Sequence, residues 1–275
     1  METLLPGGVA TPAGILRDYQ FRPITGALEM ALAESAGISN MPAAVSHALA
    51  GSLATVAGEE PRTDVVSQLS VGDRQFLMRQ LELLLGHDLQ WHSFTCRKCA
   101  ARSDFQIELS RLPVKEATQG YPHVEVDTSQ GSYCFRIPNG SDQEAIATIE
   151  NEYQAFNVLL SRCLVTSAVD SAESEIVFSE QDRLLIEAEL ERIAPEVGCE
   201  IAAACIECGS QNVIALDPYA VIGKSNGSIY SDIHKLACHY HWGEEEILSL
   251  PRKRRQYYLK LIEMSRGMAF EGSAG

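Results

Sequence analysis

Apolar residues recur along this chain in two rhythms, and each rhythm comes round twice. Tyr19-Gln20-Phe21-Arg22 alternates apolar with polar, as a half-buried strand does, and stops at Pro23 and the turn pair Thr25-Gly26. Ala27 to Ala36 has helix-forming composition and ends at Gly37. Residues 37–62 hold many small side chains, with Met41 to Val56 reading as a further helix. Ser70 is placed to cap the next helix, with Asp73 three residues on, near the positive end of the helix dipole. Phe76, Leu77, Leu81, Leu84 and Leu85 follow at mostly helical spacing up to Gly86. Leu89 to Phe94 and Ser103 to Leu109 read as strands on either side of Cys96-Arg97-Lys98-Cys99, and Leu112-Pro113 closes the set.

After a connector at 114–130 the order starts again. Tyr133-Cys134-Phe135-Arg136 repeats the first alternating strand, and Pro138-Asn139-Gly140 repeats its turn. Ser141 to Glu150 begins a helix that extends towards Leu164. Ser179 caps the next, with Asp182 at its third position and Leu184, Leu185, Leu190 and Ile193 as its apolar residues. Ile201 to Ala204 leads into Cys205-Ile206-Glu207-Cys208, and Asn212 to Leu216 leads out. One offset of 109 residues lays Ser70 on Ser179, Asp73 on Asp182, Arg74 on Arg183, Cys96 on Cys205 and Cys99 on Cys208, without a gap. Two CxxC pairs arise by chance more readily than two pairs with the same capped helix in front and the same strand behind. The pattern therefore predicts an internal duplication.

The cysteine spacing carries chemistry. A closed tetrahedral zinc site needs four thiolate or imidazole ligands, and each CxxC supplies two. Cys96, Cys99, Cys205 and Cys208 are the expected ligands of one structural zinc per chain, held between the two units about a pseudo-twofold axis. The competing readings are two unrelated reduced cysteine pairs or a redox CxxC. Neither pair opens a helix after a βαβ pattern, which speaks against the redox reading.

Composition and charge narrow the class. The hydrophobic share of 45% is that of an ordinary globular chain. The N-terminus lacks a basic start and Pro6-Gly7-Gly8 interrupts its apolar residues, so no export signal is expected; no apolar run approaches a membrane span. Eight cysteines, four of them at ligand spacing, then fit a reducing cytoplasm. A net charge of −15 argues against direct nucleic-acid binding. Residues 221–275 nevertheless carry eight Lys/Arg against six Asp/Glu, and an acidic body with a mildly basic tail suits protein partners.

That tail has no counterpart in either unit. It reads as three short amphipathic helices: Ile229 to Tyr240, a second from Gly243, and a third after Pro251. Tyr240, Trp242, Ile247, Leu250, Arg252, Arg254, Arg255 and Tyr258 are its expected partner-binding residues. His234, Cys238, His239 and His241 lie close together and could ligate a second metal. No acidic residue completes a catalytic zinc pattern there, so a packing cluster with Tyr240 and Trp242 is the simpler account. No phosphate-cradling glycine loop or nucleophile elbow is present, and no catalytic residues are assigned.

The run Leu69 to Arg74, the knuckle Thr95 to Cys99, the strand Phe105 to Pro113 and the tail segment Ile233 to Pro251 together resemble the T-even-type phage baseplate hub and assembly proteins. That family occurs in contractile-tailed phages and in bacterial contractile injection systems. The second unit departs from the pattern where Glu180-Gln181 replaces Val71-Gly72. The resemblance implies a non-enzymatic baseplate component or assembly factor whose partners are other tail proteins, located in the cytoplasm or in a phage-tail-like particle. A cytoplasmic zinc-ribbon-like adaptor is the alternative, and a metal enzyme built on the histidine cluster a third reading. The expected fold is α+β: a flexible arm at 1–14, one helix-plus-knuckle unit at 15–120, a second at 131–222, and a helical docking tail at 223–275.

Overall fold

The chain begins with a hairpin. Strands β1 (Leu4–Thr11) and β2 (Gly14–Phe21) pair antiparallel. At their turn the Thr11 hydroxyl donates to the Gly14 carbonyl at 2.8 Å and accepts from the Ala13 N–H at 3.2 Å. A computed structural model describes residues 4–167, 177–224 and 228–271, and in it the chain is mixed α+β with small antiparallel sheets. The arm expected at 1–14 is thus largely a strand, with Leu5 fully buried. Pro6-Gly7-Gly8 suggests a loose arm because it breaks the apolar run, yet those glycines permit a close approach. The Gly7 and Gly8 N–H groups donate to the Asp73 carboxylate at 2.8 and 3.0 Å, and a Cβ on Gly7 would lie 2.7 Å from its Oδ2.

Helices α1 (Gly26–Ser35) and α2 (Met41–Ser52) follow, then β3 (Leu53–Val56), which pairs with β2 to give the order β1-β2-β3. The helix expected over Met41 to Val56 therefore ends at Ser52, because Leu53 turns extended to meet Phe21. After the short α3 (Thr63–Val66) comes α4 (Val71–Leu84), with the Ser70 side chain accepting from the Asp73 N–H at 3.1 Å. Strands β4 (Leu89–Thr95) and β5 (Arg102–Glu108) then flank the first CxxC.

A second set runs in the same order. A two-residue strand, β6 (Val114–Lys115), precedes a hairpin of β7 (His123–Thr128) and β8 (Gly131–Arg136), so the connector expected at 114–130 holds both β6 and the whole first strand of that hairpin. The turn repeats the first one: Thr128 donates to the Gly131 carbonyl and accepts from the Gln130 N–H. The single long helix expected from Ser141 is two, α5 (Gly140–Ile146) and α6 (Glu152–Cys163), each with its own asparagine cap, Asn139 and Asn151. β9 (Leu164–Ser167) completes the sheet β7-β8-β9, with Phe135 opposite Leu164 as Phe21 is opposite Leu53. Helix α7 (Glu180–Ile193) is capped by Ser179. β10 (Glu196–Val197) pairs with β6, and β11 (Glu200–Ala204) and β12 (Gln211–Ala215) flank the second CxxC.

Each set has its own apolar core. Leu28, Leu32, Leu49, Phe76, Leu77 and Leu81 fill the first; Tyr133, Phe135, Phe178, Ile186 and Ile193 fill the second. Each such side chain contributes roughly 1.5–3 kcal/mol by leaving water. The tail begins with α8 (Ala220–Lys224) and continues as α9 (Ser228–Tyr240), α10 (Glu244–Ser249) and α11 (Arg252–Glu271). It folds back on α1: Ile229 packs with Met30 and Ala33, and buried Arg255 reaches Glu29 at 2.6 Å and Asp232 at 3.2 Å.

Two joints of one design hold these pieces together. Ser70 bridges Asn139: the Val71 N–H donates to the Pro138 carbonyl, and the Gly140 N–H donates to the Leu69 carbonyl. Pro251 bridges Thr25 in the same way, with Arg252 N–H donating to the Ile24 carbonyl and Gly26 N–H to the Leu250 carbonyl. In each joint a glycine opens one helix and a buried arginine, Arg74 or Arg255, lies against it. A Cβ at Gly140 would collide with the Arg74 guanidinium, and one at Gly26 would stand 3.0 Å from Arg255 Nη1.

Candidate metal centre

The two CxxC turns are built alike from their backbones. The Cys96 N–H donates to the Ala101 carbonyl and the Ala100 N–H to the Cys96 carbonyl, each at 2.9 Å. The Cys205 N–H and Ser210 carbonyl, and the Gly209 N–H and Cys205 carbonyl, repeat both bonds at 2.9 Å. Each turn passes through a left-handed residue, Ala100 at φ 59° and Gly209 at φ 69°. Glycine takes that conformation freely, whereas alanine meets its own carbonyl and loses about 1 kcal/mol.

The turns face each other across the halves. Cys96 Sγ lies 3.7 Å from Cys208 Sγ, and Cys99 Sγ lies 3.6 Å from Cys205 Sγ. All four ligand atoms fall within 4.8 Å of one another, an arrangement that can hold one metal ion. Cys96 and Cys205 are buried; Cys99 is exposed and Cys208 half-buried. All four cysteines expected as ligands are thus brought together.

Two further residues, unmarked by ligand spacing, complete the surroundings. The Asn212 amide points to Cys96 Sγ at 3.8 Å while accepting from the Arg97 N–H at 3.1 Å. Ser103 Oγ points to Cys205 Sγ at 3.9 Å. The offset of 109 lays Ser103 on Asn212, so each hairpin supplies a polar contact to the other hairpin's first cysteine. Their signal in the sequence is a polar residue at an inward position of an otherwise apolar-facing strand, and both are buried.

Electrostatics favours charge on the two inner sulfurs. The Cys99 and Lys98 backbone N–H groups hold the Cys96 thiol down at about 6. The Cys208 and Glu207 N–H groups lower Cys205 in the same way. Cys99 is pulled down by the Ala101 N–H, yet the neighbouring Cys208 sulfur and desolvation push it up to about 12. The backbone N–H groups thus favour the charged form of Cys96 and Cys205, while Cys99 is pushed towards its neutral thiol, whose proton a bound cation would displace.

Comparison with known proteins finds no matching family model, no matching curated protein and no matching solved structure. The site is therefore read from its own geometry. The other sequence candidates fare differently. Cys238 Sγ is 3.8 Å from His234 Nδ1, but His239 packs edge-on to Tyr240, and among the described residues only the four-cysteine group gathers three or more ligand atoms. Tyr240 stacks on Trp242 with centroids 4.8 Å apart, and Tyr258 closes the cluster. Of the expected partner-binding residues, Ile247 is buried with Leu236 and Ile262, and Arg255 is buried in the joint with α1. Arg252 is half-buried and donates to the Leu85 carbonyl; Leu250 gives its carbonyl to Gly26; Arg254 is exposed. Tyr257 and Met264 are exposed on α11.

A cleft of about 950 Å³ runs between the halves, lined by Gln75, Lys115, Phe156, Leu159, Cys163 and Glu187 among others. Burial pushes the Cys163 thiol up to about 12, so it stays protonated near neutral pH. No helix among the described residues is long and apolar enough to cross a membrane.

Proposed function

We propose that this chain is a non-enzymatic structural or assembly component of a contractile-tail baseplate, made of two duplicated units locked by one structural zinc. The observation that carries the zinc reading is the sulfur spacing. Zinc–thiolate bonds of about 2.3 Å in a regular tetrahedron place sulfurs about 3.8 Å apart. The cross-hairpin pairs lie at 3.7 and 3.6 Å. Four thiolates fill the coordination sphere and leave no position for a reacting water, which is the chemistry of a fastener. The common element order, the matched turns at Thr11 and Thr128 and the matched strand registers support duplication. The resemblance of Leu69 to Arg74, Thr95 to Cys99 and Ile233 to Pro251 to baseplate hub and assembly proteins supplies the biological setting.

A second reading, a zinc-ribbon adaptor that binds other proteins, draws on one observation. Trp91 in β4 is 71% exposed, and Ile206 in the second CxxC turn is 75% exposed. Sedimentation of a native lysate from the producing cell, followed by blotting for this chain, separates the two. Recovery with sheath-and-tube particles, or in small complexes with tail proteins, is expected. Recovery in small complexes that hold no tail protein would favour the adaptor.

A further inference from the structure

The joint described above has two halves. One is a receiving half: a residue with a free carbonyl, a Thr or Asn, then a glycine that opens a helix. The other is an inserting half: an apolar residue, a helix start, and an arginine five residues after the apolar one. Among the described residues there are two receiving halves, Ile24-Thr25-Gly26 and Pro138-Asn139-Gly140. The same residues hold three inserting halves: Leu69 with Arg74, Leu250 with Arg255, and Phe178 with Arg183. The first two inserting halves occupy the two receiving halves, which leaves the third over.

Phe178 is buried in the second core, but its arginine is less covered than the other two. Arg74 is fully buried and Arg255 is 1% exposed, but the Arg183 guanidinium lies on the face of Tyr153, 4.2 Å from the ring centroid, and Tyr153 is itself half open to solvent. Around it Val177, Leu184 and Leu185 are exposed. Among the described residues no other helix start is hydrogen-bonded to the backbone of Phe178, Ser179 or Glu180; the β7–β8 turn reaches this end of α7 through Ser129, which donates to Asp182, and Gln130, which donates to the Val177 carbonyl. On the first half, the equivalent face of α2 and α4 is filled by α5, whose Glu144 accepts from Ser46 at 2.5 Å.

We infer that the start of α7 inserts into the Thr25-Gly26 half-joint of a second copy of this chain, and that the tail of that copy normally occupies the place. The receiving site on α1 already accepts a helix start with an arginine at this position. Its Glu29, which now pairs with Arg255, is the carboxylate that would meet Arg183. The contact is head-to-tail, so each added copy offers a new α7 and the assembly stays open-ended. The tail acts as a plug: while Leu250-Pro251-Arg252 and Arg255 hold α1, copies remain apart.

Sedimentation velocity on full-length chains tests this. Arg255→Glu places a like charge against Glu29 and Asp232 and frees the receiving half; the wild type keeps only the inserting half open. The double variant Arg183→Glu/Arg255→Glu has an open receiving half and a spoiled inserting one. Mixed with wild type, it is expected to form a complex of doubled mass, while each alone stays single. Arg255→Glu alone is expected to form species that lengthen with concentration. Trypsin accessibility of α11 reports whether the tail has left α1; where it has not, Leu248→Asp, at the residue touching Gly26, is added to release it. A released tail with no complex on mixing overturns the inference. So does association of the double variant with itself, which would mark a merely sticky surface.

Discussion

Helices α4 and α7 start from the same Ser-x-x-Asp-Arg pattern and end in different environments. α4 is wrapped on most sides, with even Asp73, Arg74, Arg79 and Gln80 buried. α7 buries only Asp182, Ile186, Leu190 and Ile193, and leaves Leu184 60% exposed. One contribution comes from the second helical position. Gly72 allows the Pro195 carbonyl to come against α4, where any Cβ would collide; the equivalent Gln181 allows no such approach. Two similarly capped helices thus differ in what they are allowed to touch. Local sequence sets the helix, and the side-chain volume at its second position sets its neighbours.

The largest effect should come from breaking what the halves share. Cys205→Ser is expected to remove the whole metal equivalent, and so is Cys96→Ser, because each half supplies two ligands. The melting midpoint should fall by about 10 °C or more in both, as measured by calorimetry beside elemental analysis. A full metal equivalent retained in either variant would contradict the shared site.

The arginines sharpen the contrast next. Arg74 donates to the carbonyls of Val66 and Pro42 and to the Ser46 hydroxyl, all away from water. Arg74→Ala strands those acceptors and should cost about 3 kcal/mol in denaturant unfolding. Arg183→Ala removes a cation–π contact at an exposed ring and should cost under about 1 kcal/mol. Equal losses would mean that the two helix starts are equally enclosed.

The smallest effect separates the paired aspartates. The Ser129 and Ser179 hydroxyls and the Ser129 N–H hold Asp182 down at about 2. Burial instead raises Asp73, although the Gly7 N–H, the Ser70 hydroxyl and the Gly8 N–H pull the other way. A carboxyl depressed on folding stabilises above its ordinary value, and that contribution is lost as pH falls through the folded one. Asp182→Asn should therefore flatten the loss of stability between about pH 4 and pH 2. Asp73 has the opposite sign, since a raised carboxyl favours folding on the acid side, so Asp73→Asn should leave that limb in place. Acid titrations of both variants, followed by circular dichroism without metal, check the pair.

Much of this was legible in the sequence where the signal is local. Ser70 and Ser179 cap because their hydroxyls reach an N–H three residues on, and the four cysteines stand at a spacing that a turn of fixed shape imposes. The strands β1, β3 and β9 were not legible. Leu53 to Val56 becomes a strand only because β2 lies alongside, a pairing that no window of neighbouring residues contains. Arg255 misleads for a related reason: within Arg252-Lys253-Arg254-Arg255 it looks like one more surface cation, and only Glu29 and Asp232, far away in sequence, draw it inside. Ser103 and Asn212 escape notice because a polar residue near a cysteine is common, and its bond to a sulfur on the other hairpin is a fact of three dimensions.

The ion pair between Glu29 and Arg255 joins residues 226 positions apart. On a ribosome adding about 5–20 residues per second, α1 emerges roughly 10–45 s before the arginine that will cover it exists. The earliest helix of the chain is thus among the last to be finished. Through that interval its glycine-led start stands open to whatever polypeptide is nearby, including a neighbouring chain on the same message.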